Sequence, residues 1–289
     1  MKLLSYIFLF LFMWPTLVLS KIQAVTTFTV LEDFVKRVGG DKIEITNLVP
    51  SDSDPHIYEP TPQDVKKISK ADLIFINGLG FEGWIKRLIK GAGAKGEMVV
   101  CTQYIHPRLV FEDTLVRDPH AWHSIPHAKI YIRNIANALK KTDPKNADFY
   151  EKNTRTYLQE LTLLDEYIRR KIDNVPPSKR KIITAHDAFG YFGNSYGIQM
   201  FAPQGISTES ESKVHSIIDL IKQIKREKIT TIFVEKISDP KIVQQIGRET
   251  GAKIGGELYA DGLSDKDGQA PNYIEMIKYN FHLILSAMS

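Results

Sequence analysis

Apolar positions fall into two alternating rhythms along the chain, and the alternation itself predicts an architecture. Short β-branched or wholly apolar runs at 24–28, 43–49, 73–76 and 98–101 read as strands, the third apolar enough to be buried. Between them, helical spacing over 30–38 stops at Gly39-Gly40, and Thr61-Pro62 opens a helix through 69, Thr61 as cap and Pro62 in the first turn. A third helix is predicted over 81–89. Strand and helix in turn imply a parallel sheet with helices on both faces.

The rhythm changes at Asp143-Pro144. From there to about Asn174 only Pro144 interrupts a glycine- and proline-free stretch in which Phe149, Tyr157, Leu161, Leu164 and Ile168 recur at helical spacing. One helix of about 30 residues, some 45 Å long, is predicted, ending at Val175-Pro176-Pro177. Strands then resume at 181–185, 198–201, 231–234 and 253–255, with helices starting at 188 and spanning 210–227, 240–250 and 272–287. The fold class is α/β: two Rossmann-like lobes, each a parallel sheet flanked by helices, joined by one long backbone helix. The expected boundaries are 21–142 for the first lobe, 143–174 for the link and 175–289 for the second lobe.

Residues 1–20 read as a signal peptide. Lys2 precedes the apolar run Tyr6 to Trp14, and Val18 and Ser20 are small enough for cleavage after Ser20. Pro15 interrupts the run, which argues against a membrane anchor, and no cysteine near the cleavage point offers a lipid attachment. No later segment is long and apolar enough to span a bilayer, so the processed protein is expected to be exported and periplasmic. The composition, 43% hydrophobic and 25% charged, is that of a globular protein and excludes disordered, collagenous and coiled-coil classes. With 38 basic against 34 acidic residues and no basic block, nucleic acid is not an expected partner. The single cysteine, Cys101, excludes an internal disulfide framework and reads as a buried, inert thiol.

Chemistry concentrates in the histidines. His56, in Asp54-Pro55-His56-Ile57-Tyr58-Glu59-Pro60, follows the second strand, and His186 follows the strand ending at Ala185. His120 lies in Asp118-Pro119-His120-Ala121-Trp122, and Asp261 follows Leu258-Tyr259-Ala260. Open parallel sheets bind ligands beyond the carboxyl ends of their strands, so two positions from each half can meet across a cleft. Three imidazoles and a carboxylate suit Zn2+, Mn2+ or Fe2+ better than Ca2+ or Mg2+. Spacing alone does not join four positions so far apart.

The motifs around these residues resemble those of the substrate-binding proteins of ABC transporters for zinc and manganese, the ZnuA-like family. Pro55-His56-Ile57-Tyr58-Glu59-Pro60-Thr61-Pro62 is similar to the first ligand motif, and Asp118 to Trp122 to the second. His186-Asp187-Ala188-Phe189-Gly190-Tyr191-Phe192 resembles the third, and Tyr259-Ala260-Asp261-Gly262-Leu263-Ser264 the fourth. Gly80 to Trp84 and Gly205 to Glu209 also look like the family, and the match runs from about 24 to 287 in order. The resemblance implies a metal held between the lobes by His56, His120, His186 and Asp261. It also implies a membrane permease as partner and a monomeric carrier. Two departures bear on the metal. The stretch Phe111 to Asp118 is short and lacks the histidine-rich loop of some zinc-specific members, whereas His186 stands where many manganese members have glutamate. Both Zn2+ and Mn2+ therefore remain as cargo.

His120, His123 and His127 fall at spacings that allow a local zinc site, but Pro126 reads as a helix start with His123 and His127 near the main site or on the surface. His106 is expected in a loop, His215 on a helix surface and His282 in helix packing. Trp122 and Tyr58 are candidates to line the cleft, Glu209 and Glu235 to orient a ligand histidine, and Asp187 to cap the following helix. No catalytic motif is present: neither His-Glu-x-x-His, nor Gly-x-Ser-x-Gly, nor a glycine-rich phosphate loop. The chain is therefore read as a carrier and not an enzyme. An exported metallohydrolase and a metal-free adhesin or interaction protein are the alternatives.

Overall fold

The computed structural model describes residues 21–209 and 214–289, with the side chains of 214–216 left aside. The expected signal peptide and the start of the helix expected at 210 lie outside the described residues. In the first half, β1 (Ile22–Thr26), β2 (Ile43–Asn47), β3 (Leu73–Ile76) and β4 (Glu97–Val100) form one parallel sheet in the order β2-β1-β3-β4. Helix α1 (Thr29–Gly39) packs on one face through Phe34, Val35 and Val38, against Ala24, Leu73 and Phe75. Helices α2 (Pro62–Ser69) and α3 (Ile85–Gly91) cover the other face, where Ile68, Ile85 and Leu88 meet Val25, Ile74 and Ile76. Thr61 caps α2 as expected: its hydroxyl accepts from the Asp64 amide, and Asp64 accepts from the Thr61 amide, which closes a capping box.

The second sheet contains β7 (Lys181–Ile183), β8 (Gln199–Phe201), β9 (Thr231–Glu235) and β10 (Lys253–Leu258) in the order β10-β9-β7-β8. Counted from the first strand of each sheet, both have the order 2-1-3-4 and every pair is parallel. The two halves are thus the same winding built twice, each with its topological switch beside its first strand. Helices α6 (Gly190–Tyr196), α7 (Val214–Glu227) and α8 (Lys241–Thr250) connect the second set.

Several elements depart from expectation. The helix expected from 81 begins only at Ile85, after a bend at 81 and a turn at 83–84. An antiparallel hairpin, β5 (Leu109–Phe111) and β6 (Leu115–Arg117), follows the first sheet, and α4 (Ile125–Thr142) fills a stretch where only a helix start was read. Strand β10 runs three residues past the expected end. Gly255-Gly256 does not stop it but forms an irregularity, the register shifting between Ile254 and Glu257.

The link is α5 (Ala147–Asp173), 27 residues preceded by a 3-10 turn at Pro144–Asn146, about 40 Å at the standard rise. Its buried stripe of Tyr150, Tyr157, Leu161, Leu164, Ile168 and Ile172 belongs to one hydrophobic cluster that extends from Phe34 in the first lobe to Ile182 in the second. The C-terminal helix α9 (Tyr273–Met288) joins the same cluster through Met276, Ile277, Phe281 and Ile284. The lobes therefore share a core along their backs. Leu161→Ala removes a fully buried side chain from that layer and should cost about 2–5 kcal/mol in chemical denaturation. Unfolding should remain a single transition, and two resolved transitions would contradict a shared core.

Candidate metal centre

The first lobe fixes its two histidines with a chain of hydrogen bonds at the strand ends. The Trp84 indole donates to the Pro55 carbonyl at 2.9 Å, and the His56 amide donates to Asp54 Oδ1 at 2.8 Å. Phe81 sets its ring edge-on to His56 at a centroid distance of 4.6 Å. After β3 the chain turns sharply through Gly78, at a φ of 88° that glycine adopts freely. The turn lets Glu82 accept from Thr27 Oγ1 and from the amides of Asn77 and Gly78. Asn77 in turn donates to the Pro119 carbonyl, one residue before His120. Asp118, fully buried, accepts from both the amide and Nδ1 of His120 at 2.9 Å. A carboxylate only accepts, so Nδ1 carries the proton and Nε2 faces the cleft.

The second lobe repeats the device. Glu235 ends β9 and accepts from the amides of Ala185 and His186 while contacting His186 Nδ1, which leaves Nε2 of His186 free to face inward. The Asp261 loop is held from several sides. Asn280 exchanges two hydrogen bonds with the Tyr259 backbone, the Trp122 indole donates to the Ala260 carbonyl, and the Leu263 amide donates to Thr29 Oγ1.

These supports bring His56, His120, His186 and Asp261 together, with one ligand atom of each within 4.8 Å of all the others. His120 Nε2 lies 3.2 Å from His56 Nε2 and 3.4 Å from His186 Nε2. Asp261 oxygens lie 3.7, 3.4 and 3.3 Å from the Nε2 atoms of His56, His120 and His186. Donors bound tetrahedrally at zinc distances of about 2.0–2.1 Å stand about 3.3 Å apart, the spacing found here. All four side chains are buried, and Asp261 Oδ1 has no hydrogen-bond partner. A buried carboxylate oxygen without a donor is costly, and a cation among the three nitrogens would satisfy it.

Electrostatics divide the histidines. Burial, with the neighbouring imidazoles, pulls His56 down to about 3 against the pull of Asp261. Burial also opposes charge on His120 and His186, but the carboxylates outweigh it: Asp118 and Asp261 raise His120, and Glu235 and Asp261 raise His186 well above the ordinary value. Asp261 is itself held far below the usual carboxylate range, His186 and His120 overcoming its burial. Without metal, protonation is thus favoured at His120 and His186 and disfavoured at His56.

The remaining candidates fall elsewhere. His123 is buried with neither ring nitrogen bonded, stacked on Phe189 at 4.4 Å, and His127 packs on Tyr191, so among the described residues the 120/123/127 spacing makes no second metal cluster. Trp122 does border the centre, 5.2 Å from His120, whereas Tyr58 donates to Asp64 and stacks on Trp84. Glu235 orients His186; Glu209 is exposed, its amide bonded to Ser207 Oγ. Asp187 caps nothing: α6 begins at Gly190 without a side-chain cap, and Asp187 instead pairs with Arg108. His282 accepts or donates to the Tyr167 hydroxyl at 3.3 Å, and the side chain of His215 lies outside the described residues. Sequence reading missed Asp118 as the support of His120. Its only signal was a carboxylate two residues before a candidate ligand histidine.

Comparison with known proteins gives a consistent result. Residues 24–287 match the family model described as zinc-uptake complex component A, periplasmic. The metal ABC transporter substrate-binding lipoprotein FimA of Streptococcus parasanguinis is 34% identical over 284 residues, covering 93% of this chain and 90% of that protein. The manganese ABC transporter substrate-binding lipoprotein PsaA of Streptococcus pneumoniae is 33% identical over 278 residues, with the same coverage. Among solved structures, the periplasmic zinc binding protein TroA of Treponema pallidum aligns with a TM-score of 0.88 at 30% identity, over 93% of this chain and all of that one. A Mn-bound periplasmic metal binding protein from Candidatus Liberibacter asiaticus aligns at 0.86 and 30% identity, with 93% and 100% coverage.

Glu235→Gln removes the largest upward influence on His186. In the metal-free protein the titration of that ring should move down, read from its imidazole NMR signals. An unmoved titration would mean that Glu235 does not set the charge of His186.

Proposed function

The chain belongs to the zinc-uptake complex component A family, and we propose that it captures one divalent transition-metal ion, Zn2+ or Mn2+, outside the cytoplasm and delivers it to the permease of an ABC transporter. One observation carries the reading: three imidazole Nε2 atoms and a buried carboxylate from both halves converge at ligand spacing. His56, His120, His186 and Asp261 are the proposed ligands. The proposed lobes are 21–142 and 175–289, supported by a complete parallel sheet within each, with 143–174 as the link. Relatives named as metal and manganese transporter lipoproteins, and a structural neighbour named as a zinc binding protein, support transport over catalysis. The proposed mature form starts after Ser20, resides in the periplasm and acts as a monomer.

Capture follows from the electrostatics. An arriving ion displaces the protons that the carboxylates hold on His120 and His186. Asp118 and Glu235 keep the Nδ1 protons in place and fix the rings, so only the Nε2 lone pairs change partner. Asp261, already ionised, supplies the charge that draws the ion between the lobes. The donor set accepts zinc with four ligands, and a bidentate Asp261 would allow the higher coordination manganese prefers. Zn2+ should bind at least as tightly as Mn2+ whichever is carried.

Calorimetric titration of chelator-stripped protein should give one site per chain for Zn2+. Affinity should weaken as pH falls, with the loss setting in above the ordinary imidazole value of about 6.5, because the carboxylates raise His120 and His186. His56→Ala or Asp261→Ala should lose more than about 100-fold, beyond the effect of removing an outer hydrogen-bond partner. His282→Ala, exposed and outside the ligand cluster, should change little. No stoichiometric binding, or equal losses at all three positions, would sink the assignment.

A further inference from the structure

We propose that Arg108 is a positioning residue that clamps the two lobes at the spacing a shared ion requires, and thereby sets how long the ion stays bound. The proposal rests on the carrier reading above. Arg108 lies in the first lobe, at the base of the β5–β6 hairpin, where its carbonyl accepts from the Asp118 amide. Its guanidinium reaches two carboxylates on opposite sides of the cleft. One terminal nitrogen donates to Asp118 Oδ2 at 2.7 Å and to Asp187 Oδ1 at 3.3 Å, and the other donates to Asp187 Oδ2 at 3.1 Å. Asp118 is the residue that orients His120, and Asp187 directly follows His186. A continuous polar chain, His120–Asp118–Arg108–Asp187, therefore runs from a ligand of one lobe to the neighbour of a ligand of the other.

The surroundings are built for that contact. A Cβ at Gly190 would stand 2.2 Å from the guanidinium carbon, so glycine there leaves the bay that the arginine head fills. Tyr191, also in the second lobe, seats its hydroxyl between two backbone groups of the first: it accepts from the Arg108 amide at 2.9 Å and donates to the Asp118 carbonyl at 3.0 Å. At the hairpin tip, Glu112 accepts from the Ile206 amide of the second lobe at 2.7 Å. The planar fork of arginine can serve both carboxylates at once, which a lysine ammonium cannot do with the same geometry. Parting the lobes must separate Arg108 from Asp187 or from Asp118. In the second case the support of His120 loosens in the same movement.

The test measures Zn2+ dissociation by stopped-flow transfer to a chelator from loaded wild type, R108M, R108K, D187N and the R108M/D187N double variant. R108M should release Zn2+ about 10- to 100-fold faster, the range for loss of an outer-shell partner. R108K should recover part of the retention. The double variant should be no faster than R108M, because both changes remove the same contact. Spin labels at Gln63→Cys and Gln245→Cys, both exposed and in opposite lobes, should give a broader distance distribution in metal-free R108M than in wild type, an effect a purely local packing defect would not produce. Release from R108M within about twofold of wild type, additive single effects, or an unchanged distance distribution would each overturn the clamp. Wild type that takes up no stoichiometric Zn2+ would overturn the carrier reading as well, so the two failures are distinguishable.

Discussion

Three imidazoles packed nitrogen to nitrogen, with one carboxylate and almost no solvent, form the constraint on which the structure turns. The Nε2 atoms of His56 and His186 approach that of His120 to 3.2 and 3.4 Å, and Asp261 closes the group with one oxygen unbonded. Without an ion, such a cluster must hold protons or leave lone pairs facing each other in a low-dielectric interior. Asp118 and Glu235 resolve this by fixing the tautomers from behind and favouring protons on two of the rings. The same carboxylates that steady the rings without metal thus hold them in the orientation that the proposed binding requires.

Repetition explains how one chain assembles the centre. Each lobe winds four parallel strands in the same order, and each contributes two of the four converging side chains, His56 and His120 from the first and His186 and Asp261 from the second. Glu82, just beyond the third strand of the first sheet, and Glu235, at the end of the third strand of the second, both bind backbone amides of the site. Along the back, α5 and α9 share one hydrophobic cluster with both lobes, so the pair is joined by close packing as well as by sequence. Motion between lobes joined this way is expected to be a small rocking about the shared layer, limited at the front by polar contacts such as those of Arg108.

Much of this was legible in the sequence, for a physical reason. Parallel strands are short apolar runs, binding side chains gather beyond their carboxyl ends, and His186 and Asp261 each stand three residues past a strand end, with His56 on the longer loop after β2. The long helix showed in its apolar spacing and its lack of glycine. What escaped notice depends on partners distant in sequence. Asp187 looked like a helix cap because it precedes a helix, yet its partner Arg108 lies 79 residues away. The strand expected over 253–255 continues to Leu258, because pairing with β9 carries it through an irregularity at Gly255-Gly256. The β5–β6 hairpin was too short for periodicity to reveal, and its role as a brace between lobes has no local signature.

The most direct test is anomalous diffraction from crystals of the protein loaded with Zn2+. The account predicts one strong peak per chain, about 2.0–2.2 Å from the Nε2 atoms of His56, His120 and His186 and from an Asp261 oxygen. A peak held by residues of one lobe alone, or a metal at another place with these four side chains unliganded, would contradict it.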